Sequence, residues 1–309
     1  MVFQQMNRME KSEYHNPVLL KECIEGLKIK PDGIYVDVTF GGGGHSREIF
    51  KHLTSGRLFG FDQDADAQEN GIDDERFVLV EKNFRELEEV LRRNGVEKID
   101  GLLADLGVSS HQFDTAERGF SIRFDAELDM RMNRKLNRTA ADVLNNYSEQ
   151  DLKKVFKEYG EIENATQLAR QIFAERKVKK INTINELKSA VAGCLKRGKE
   201  NQYFAQLFQA LRIEVNDELN ALKELLEQSA KVLVKGGRLV VMSYHSLEDR
   251  LAKNFIRSGK FEGDAETDLY GNKLVPYKAI NKKPIEPNET EIQNNNRARS
   301  AKLRIAEKT

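Results

Sequence analysis

The stretch that most limits what this chain can fold into is Asp37-Val38-Thr39-Phe40-Gly41-Gly42-Gly43-Gly44-His45-Ser46. It follows the apolar alternation Ile34, Val36, Val38 and precedes the helical run Arg47 to Leu53, an order that reads strand, glycine turn, helix. Glycine takes positive φ at little steric cost and lets the backbone approach a ligand closely. The helix that follows points its first N–H groups at whatever is bound. A dinucleotide loop reads G-x-G-x-x-G/A. Counted from Gly41, the third small position here is Ser46, and an acidic residue, Asp37, opens the loop. A cationic, pyrophosphate-free ligand such as S-adenosylmethionine suits that entry better. Some twenty residues on, Arg57 to Asp62 reads as a second strand ending in a carboxylate, placed to hold a ribose diol. Either ligand would use that carboxylate. A tight strand-to-helix turn also uses glycine with no ligand at all, so the loop by itself is a weak signal.

Further along, Phe77 to Val80 reads as a buried strand, and Phe84, Leu87, Val90 and Leu91 mark one face of a helix ending near Gly95. A fourth strand, Ile99 to Asp105, ends in another carboxylate and leads into the small-residue loop Leu106 to Phe113. Alternating βα units predict a parallel sheet with helices on both faces and ligands at its carboxyl edge. From about Asp114 to Leu211 the strands stop and helical patterns take over. Starts are expected at Ser148 and at Thr183-Ile184-Asn185-Glu186, spaced as a capping box. A long amphipathic helix from Asn216 to about Val234 should end at Gly236-Gly237. A fifth strand, Arg238 to Ser243, then delivers Tyr244-His245-Ser246-Leu247-Glu248-Asp249-Arg250 to the same edge. Ser246 and Asp249 are spaced to cap the next helix. Residues 274–280 and 301–305 are expected to be the last strands. Met1 to Tyr14 reads as a polar, loose lead-in.

Charge narrows the partners. The 50 basic and 50 acidic residues of this 309-residue chain cancel, so contact with nucleic acid must come from local patches. One candidate is Arg176 to Lys199, with eight basic residues (Arg176, Lys177, Lys179, Lys180, Lys188, Lys196, Arg197, Lys199) against the single acid Glu186. Such a run serves equally as a solvated helical face. Two cysteines, Cys23 and Cys194, make no disulfide framework, and the five histidines lack ligand spacing, so no metal site is expected. With no signal-type segment and no apolar run near the roughly 18 residues of a spanning helix, a cytoplasmic protein without membrane contact is expected.

Several separated motifs then coincide in one order: His15-x-Pro17-Val18, Asp37 to Ser46, Asp105-Leu-Gly-Val-Ser-Ser110, Glu117-Arg-Gly-Phe-Ser121, Leu128-Asp-Met-Arg-Met132, Phe208-Gln-Ala-Leu-Arg-Ile213, Ser243 to Arg250, and Asn296-Arg-Ala-Arg-Ser300. From about His15 to the C-terminus the chain resembles the MraW/RsmH family, bacterial methyltransferases that modify the N4 amino group of a cytosine in the decoding region of 16S (small-subunit) rRNA. The resemblance implies an α/β fold, a class I (Rossmann-like) methyltransferase sheet with an inserted all-helical domain. The methyltransferase domain would comprise residues 1–113 and 212–309, and the insert 114–211. It also implies S-adenosyl-L-methionine as cofactor, contacted by Gly43, Gly44, His45, Asp62, Phe84, Asp105 and Gln112. The 16S rRNA, free or in the small ribosomal subunit, would be the partner. Asp105 and His245 are the expected catalytic residues: the loop from Asp105 through Ser110 would present carboxylate, hydroxyl or backbone carbonyl acceptors to the amino group, with His245 beside it as proton acceptor or base-positioning group. One segment departs from the family. Where a basic stretch close to His-Pro-Ala-Thr-Arg is expected, this chain has Lys199-Glu-Asn-Gln-Tyr-Phe-Ala-Gln-Leu207, which bears on how the insert grips RNA.

Three other functions fit parts of the pattern. A nicotinamide oxidoreductase shares the fold but is disfavoured by Ser46 and Asp37. A DNA amino-methyltransferase would carry (Asp/Ser)-Pro-Pro-(Tyr/Phe) after the fourth strand, where this chain has Asp105-Leu-Gly-Val. A ribosome assembly factor that binds RNA on the same fold without catalysis is disfavoured by the complete set of residues at the carboxyl edge.

Overall fold

The computed structural model describes residues 17–309; His15 and the lead-in Met1 to Tyr14 lie outside the described residues. The chain divides into two compact units, one comprising the chain up to Gly107 together with Asn220–Thr309, the other Val108–Leu219.

The first unit is built on a seven-stranded sheet. Its strands are β1 (Ile34–Asp37), β2 (Arg57–Asp62), β3 (Phe77–Glu81), β4 (Ile99–Asp105), β5 (Leu233–Ser243), β8 (Tyr277–Ala279) and β9 (Lys302–Lys308), in spatial order β3-β2-β1-β4-β5-β9-β8. The first five run parallel, and β9 lies antiparallel between β5 and β8. The order reverses beside β1, so the carboxyl ends of β1 and β4 flank the crevice where open α/β sheets hold ligands. Alternate residues serve opposite faces, as period 2 requires. Tyr35, Leu58, Leu103, Val240 and Met242 join a core with helices Leu20–Leu27 and Gly44–Lys51. Val36, Phe59, Leu102, Leu239 and Val241 pack against helices Leu87–Arg93, Glu218–Val232 and Ser246–Ser258. A hairpin, β6 (Glu266–Thr267) with β7 (Lys273–Leu274), forms a separate two-stranded sheet.

Two local expectations change. Helix Glu218–Val232 stops before the Gly236-Gly237 pair, which sits inside β5. There the register against β4 jumps from Ile99↔Leu233 to Gly101↔Arg238 and Gly236 takes φ 80°, so the glycines shape a bulge rather than a helix cap. Nor do Ser246 and Asp249 form a capping box. The N-cap is His245, whose side chain makes no capping bond. Asp249 instead takes a two-pronged ion pair from Arg304 on β9, Nε to Oδ1 at 2.6 Å and Nη2 to Oδ2 at 2.9 Å. Glu248, on the first turn, accepts the Tyr244 N–H just ahead of the N-cap at 2.9 Å.

The second unit is helical: Ser110–Asp114, Ala140–Asn146, Glu149–Glu158, Ala165–Val178, Ile184–Ala190 and Glu200–Asn216 surround a core that includes Phe156, Leu168, Leu187, Leu207 and Leu211. Ser148 caps its helix, and Thr183 with Glu186 closes a capping box as spaced. The departed segment becomes the start of helix Glu200–Asn216. Tyr203, Phe204 and Leu207 are buried there, and the Tyr203 hydroxyl reaches Asn164 Oδ1 at 3.1 Å. Residues that resembled family motifs turn out to hold this unit together. Arg118, almost wholly buried, donates to the Arg131 and Met132 carbonyls, both at 3.0 Å. Asn216 accepts the Met132 N–H at 2.7 Å and donates to the Met130 carbonyl at 2.8 Å. Gly119 holds φ 72°, and a Cβ there would stand 2.4 Å from the Glu127 carbonyl oxygen. No helix among the described residues is long and apolar enough to cross a membrane.

Candidate active site

At the carboxyl edge of the first unit, three strands each deliver a carboxylate. Asp37 ends β1 and is buried; its Oδ2 accepts the Ser46 hydroxyl at 2.7 Å and its Oδ1 the Thr39 N–H at 3.1 Å. Burial raises its pKa above the ordinary carboxylate value, a trend opposed by His45 and these hydrogen bonds. Asp62 ends β2 and braces the glycine loop: Oδ2 accepts the Gly41 N–H and Oδ1 the Asp64 N–H, both at 2.8 Å. Burial pushes its carboxyl up to about 6. Asp105 ends β4, with its backbone N–H given to the Thr39 hydroxyl at 2.7 Å. Its Oδ1 accepts the Tyr244 hydroxyl at 2.8 Å, while Oδ2 faces His45 Nδ1 at 3.7 Å. It too is pushed up to about 6, chiefly by burial, with His45 and the Tyr244 hydrogen bond opposing.

The loop sets His45. Gly43, the N-cap of helix Gly44–Lys51, holds φ 75°, and a Cβ on it would meet the Phe40 ring at 2.8 Å and the Arg47 guanidinium at 2.4 Å. The turn therefore needs glycine for its own packing as well as for any ligand. His45, on the first turn, places Nε2 3.1 Å from the Val18 carbonyl oxygen, an acceptor that holds a proton on Nε2 and leaves Nδ1 toward Asp105.

Most of the residues expected to bind cofactor thus meet at one edge: Gly43, Gly44 and His45 after β1, Asp62 at the end of β2, Phe84 in the 3-10 turn Phe84–Glu86 after β3, and Asp105 at the end of β4. Gln112 lies in the second unit, where it closes a capping box with Ser109, its Oε1 accepting the Ser109 N–H at 3.1 Å. The expected partnership of Asp105 with His245 takes another form, because Tyr244 is the residue that reaches Asp105. His245 Nε2 stands 3.1 Å from Glu248 Oε1 outside hydrogen-bonding geometry, and both ring nitrogens are buried with no hydrogen-bond partner among the described residues. Nothing in the spacing of Tyr244 says which carboxylate it meets; its sequence signal is only its place between a strand end and His245.

The basic run of the second unit is partly neutralised. Lys179 pairs with Glu186 and Lys196 with Glu163, both at 2.8 Å. Arg176 and Lys188 donate to the Leu144 and Ile122 carbonyls, at 2.7 and 2.8 Å. Lys180 and Arg197 make no ion pair or hydrogen bond among the described residues.

The strand order, the reversal beside β1 and a carboxylate at the end of each of β1, β2 and β4 define a class I methyltransferase sheet. A profile of the MraW methylase family matches residues 12–309, and the chain belongs to that family. Relatives named "Ribosomal RNA small subunit methyltransferase H" include one from Cytophaga hutchinsonii, 61% identical across 96% of this chain and 99% of that protein. Another, from Christiangramia forsetii, is 58% identical across 96% and 98%. A third, from Parabacteroides distasonis, is 56% identical across 96% and 97%. S-adenosylmethionine is the cofactor of this family, and the donor set fits it. Among the described residues each Asp62 oxygen takes one backbone N–H, which leaves lone pairs for a ribose diol, and the carboxylates of Asp37 and Asp105 offer a counter-charge to a ligand bearing an ammonium and a sulfonium.

Proposed function

We propose that this protein transfers a methyl group from S-adenosylmethionine to the N4 amino group of a cytosine in the decoding region of 16S rRNA, in the cytoplasm, with Asp105 and His245 as its catalytic residues. The observation that carries the reading is the carboxylate set at one sheet edge, with Asp105 held by Tyr244 beside His45, in a chain whose relatives are named for small-subunit rRNA. S-adenosylmethionine, when bound, supplies a methyl group on a sulfonium whose leaving group is already good, so the protein's task is alignment and handling the nucleophile's proton.

Asp62 orients the ribose, and Gly43, Gly44 and His45 with Phe84 enclose the rest of the cofactor. The lone pair of a cytosine amino group is delocalised into the ring. An acceptor at its hydrogens localises that pair and afterwards takes a proton. Asp105 is suited to this, because burial has raised its proton affinity to about 6 while Tyr244 hydrogen-bonds one oxygen and the other, facing His45 at 3.7 Å, makes no hydrogen bond among the described residues. His245, whose buried ring nitrogens make no hydrogen bond among the described residues and whose Nε2 faces Glu248 Oε1 at 3.1 Å, is the second acceptor. The base must leave its stack to reach the site, so RNA contacts beyond the pocket are required.

The test is to incubate the purified protein and isotopically labelled S-adenosylmethionine with small ribosomal subunits from a strain lacking the enzyme, and to map modified nucleosides by mass spectrometry. N4-methylcytidine in the decoding region is expected. Label at any other nucleoside, or none alongside intact cofactor binding, refutes the reading.

A further inference from the structure

The outer edge of the first unit's sheet has a charge pattern that the methyl-transfer site does not use. From Tyr270 to Lys283 the chain carries Lys273, Lys278, Lys282 and Lys283 and no acidic residue. All four lysines are exposed, and none makes an ion pair or donates a side-chain hydrogen bond among the described residues. In the basic run of the second unit, Lys179 and Lys196 are taken by carboxylates and only part of the run, including Lys180 and Arg197, is left unpaired among the described residues.

Register shows where these lysines lead. On the edge strand β8, Lys278 is level with Glu307 of β9 and so with Arg238 of β5. The chain continues antiparallel to β9 until Ile285 pairs with Leu303, which is level with Met242 and hence with Asp105. Lys278 and the Ile285 bridge are therefore separated along the strand direction by about 13 Å, four β9 residues at roughly 3.3 Å each, and the Lys282-Lys283 pair lies in the bend just before that bridge. The series ends at the carboxyl edge of the sheet, level with the site.

At its other end is the β6–β7 hairpin, whose tip shows Leu269 and Tyr270 to solvent at 102% and 90% exposure. This tip is a built turn. Asp268 accepts the N–H of Tyr270 at 2.9 Å, the N–H of Asn272 at 2.8 Å and the Asn272 side-chain amide at 2.9 Å, and Gly271 holds φ 83°. Exposed apolar side chains presented on a braced turn, continuous with unpaired lysines, match a ligand that offers both ring faces and regularly spaced negative charge.

We infer that this edge, from the hairpin tip through Lys278 to Lys283, is a docking track for single-stranded RNA, with phosphates on the lysines and a base on Tyr270. The inference rests on the proposed rRNA substrate and adds the surface that would hold the chain flanking the methylated base.

The experiment uses the full-length protein and a fluorescently labelled single-stranded RNA of decoding-region sequence, with affinity measured across a salt series. Replacing Lys278, Lys282 and Lys283 together by Gln should lower affinity at least tenfold and reduce the slope of log K against log salt by about 2, at about 0.7 per lost phosphate contact. The triple Arg variant should retain both. Tyr270→Ala should weaken binding several-fold with the slope unchanged. Wild-type binding matched by the Gln variant in affinity and slope overturns the inference, as does weaker binding at an unchanged slope, which marks a folding defect. Edge lysines also block strand-to-strand association. A Gln variant that dimerises in size-exclusion chromatography while binding RNA normally assigns them to that role instead. A variant that methylates free RNA normally but fails on assembled subunits makes the edge a protein contact. Wild type that neither binds nor methylates RNA refutes the proposed function itself, and the track with it.

Discussion

Replacing Tyr244 with Phe removes one hydroxyl and leaves the ring, which isolates the hydrogen bond to Asp105. That bond is 2.8 Å long and lowers the proton affinity of a carboxyl that burial has raised to about 6. A hydrogen bond to an ionised group contributes about 1.5–3 kcal/mol. At about 1.4 kcal/mol per pKa unit, its loss should raise Asp105 by about one to two units. The charged carboxylate is the form that meets a cationic cofactor. Affinity therefore rises with pH as Asp105 ionises, with a break near 6 in the wild type and near 7 to 8 in the variant. At pH 7 the variant should bind about twofold to about tenfold more weakly, and at pH 9 it should recover most of the difference. Isothermal titration with the unreactive product S-adenosylhomocysteine would miss the sulfonium, so sinefungin, which keeps a cationic centre there, is the better ligand. Its binding constant would be measured from pH 5 to 9. A break that stays near 6, or moves down, refutes the assignment of Tyr244 as the residue holding Asp105 ionised.

Other expectations are simpler to test. Asp62→Asn should weaken cofactor binding at least tenfold while Gly41 keeps an acceptor, and unchanged affinity would remove the ribose role from Asp62. In the wild type, the raised carboxyls of Asp62 and Asp105 mean that the folded protein holds protons more tightly than the unfolded chain. Stability should thus fall as pH climbs from about 4 to about 6, as denaturant titrations across that range would show, and a rise would contradict it. His245→Ala should bind cofactor normally and turn over at least a hundredfold more slowly; undiminished turnover would take the histidine out of the scheme. Asn216→Ala leaves the Met132 N–H and the Met130 carbonyl without their partner inside the second unit, and should cost about 2–4 kcal/mol in chemical denaturation followed by probes in that unit.

Much of this was legible in the chain because it depends on neighbours in sequence. The glycine turn, the carboxylates closing β1, β2 and β4, and the capping box at Thr183 are set by residues within a few positions of one another, where backbone conformation and the nearest N–H groups decide the outcome. The apolar alternation that places Tyr35 and Val36 in opposite cores is likewise a local period. Pairings across long separations were not legible. Asp249 has the spacing of a cap yet serves Arg304, because β9 returns beside β5 and brings a guanidinium to it. Gly236 and Gly237 have the look of a helix stop, but β4 continues to pair beyond them and draws them into the sheet as a bulge. The basic run of the second unit counts as strongly positive in sequence, while folding places Glu186 and Glu163 against two of its lysines. Local composition determined where charge, turns and strand ends fall along the chain. Only the tertiary structure decided which of them meet, since a carboxylate's partner and proton affinity depend on what the fold packs around it.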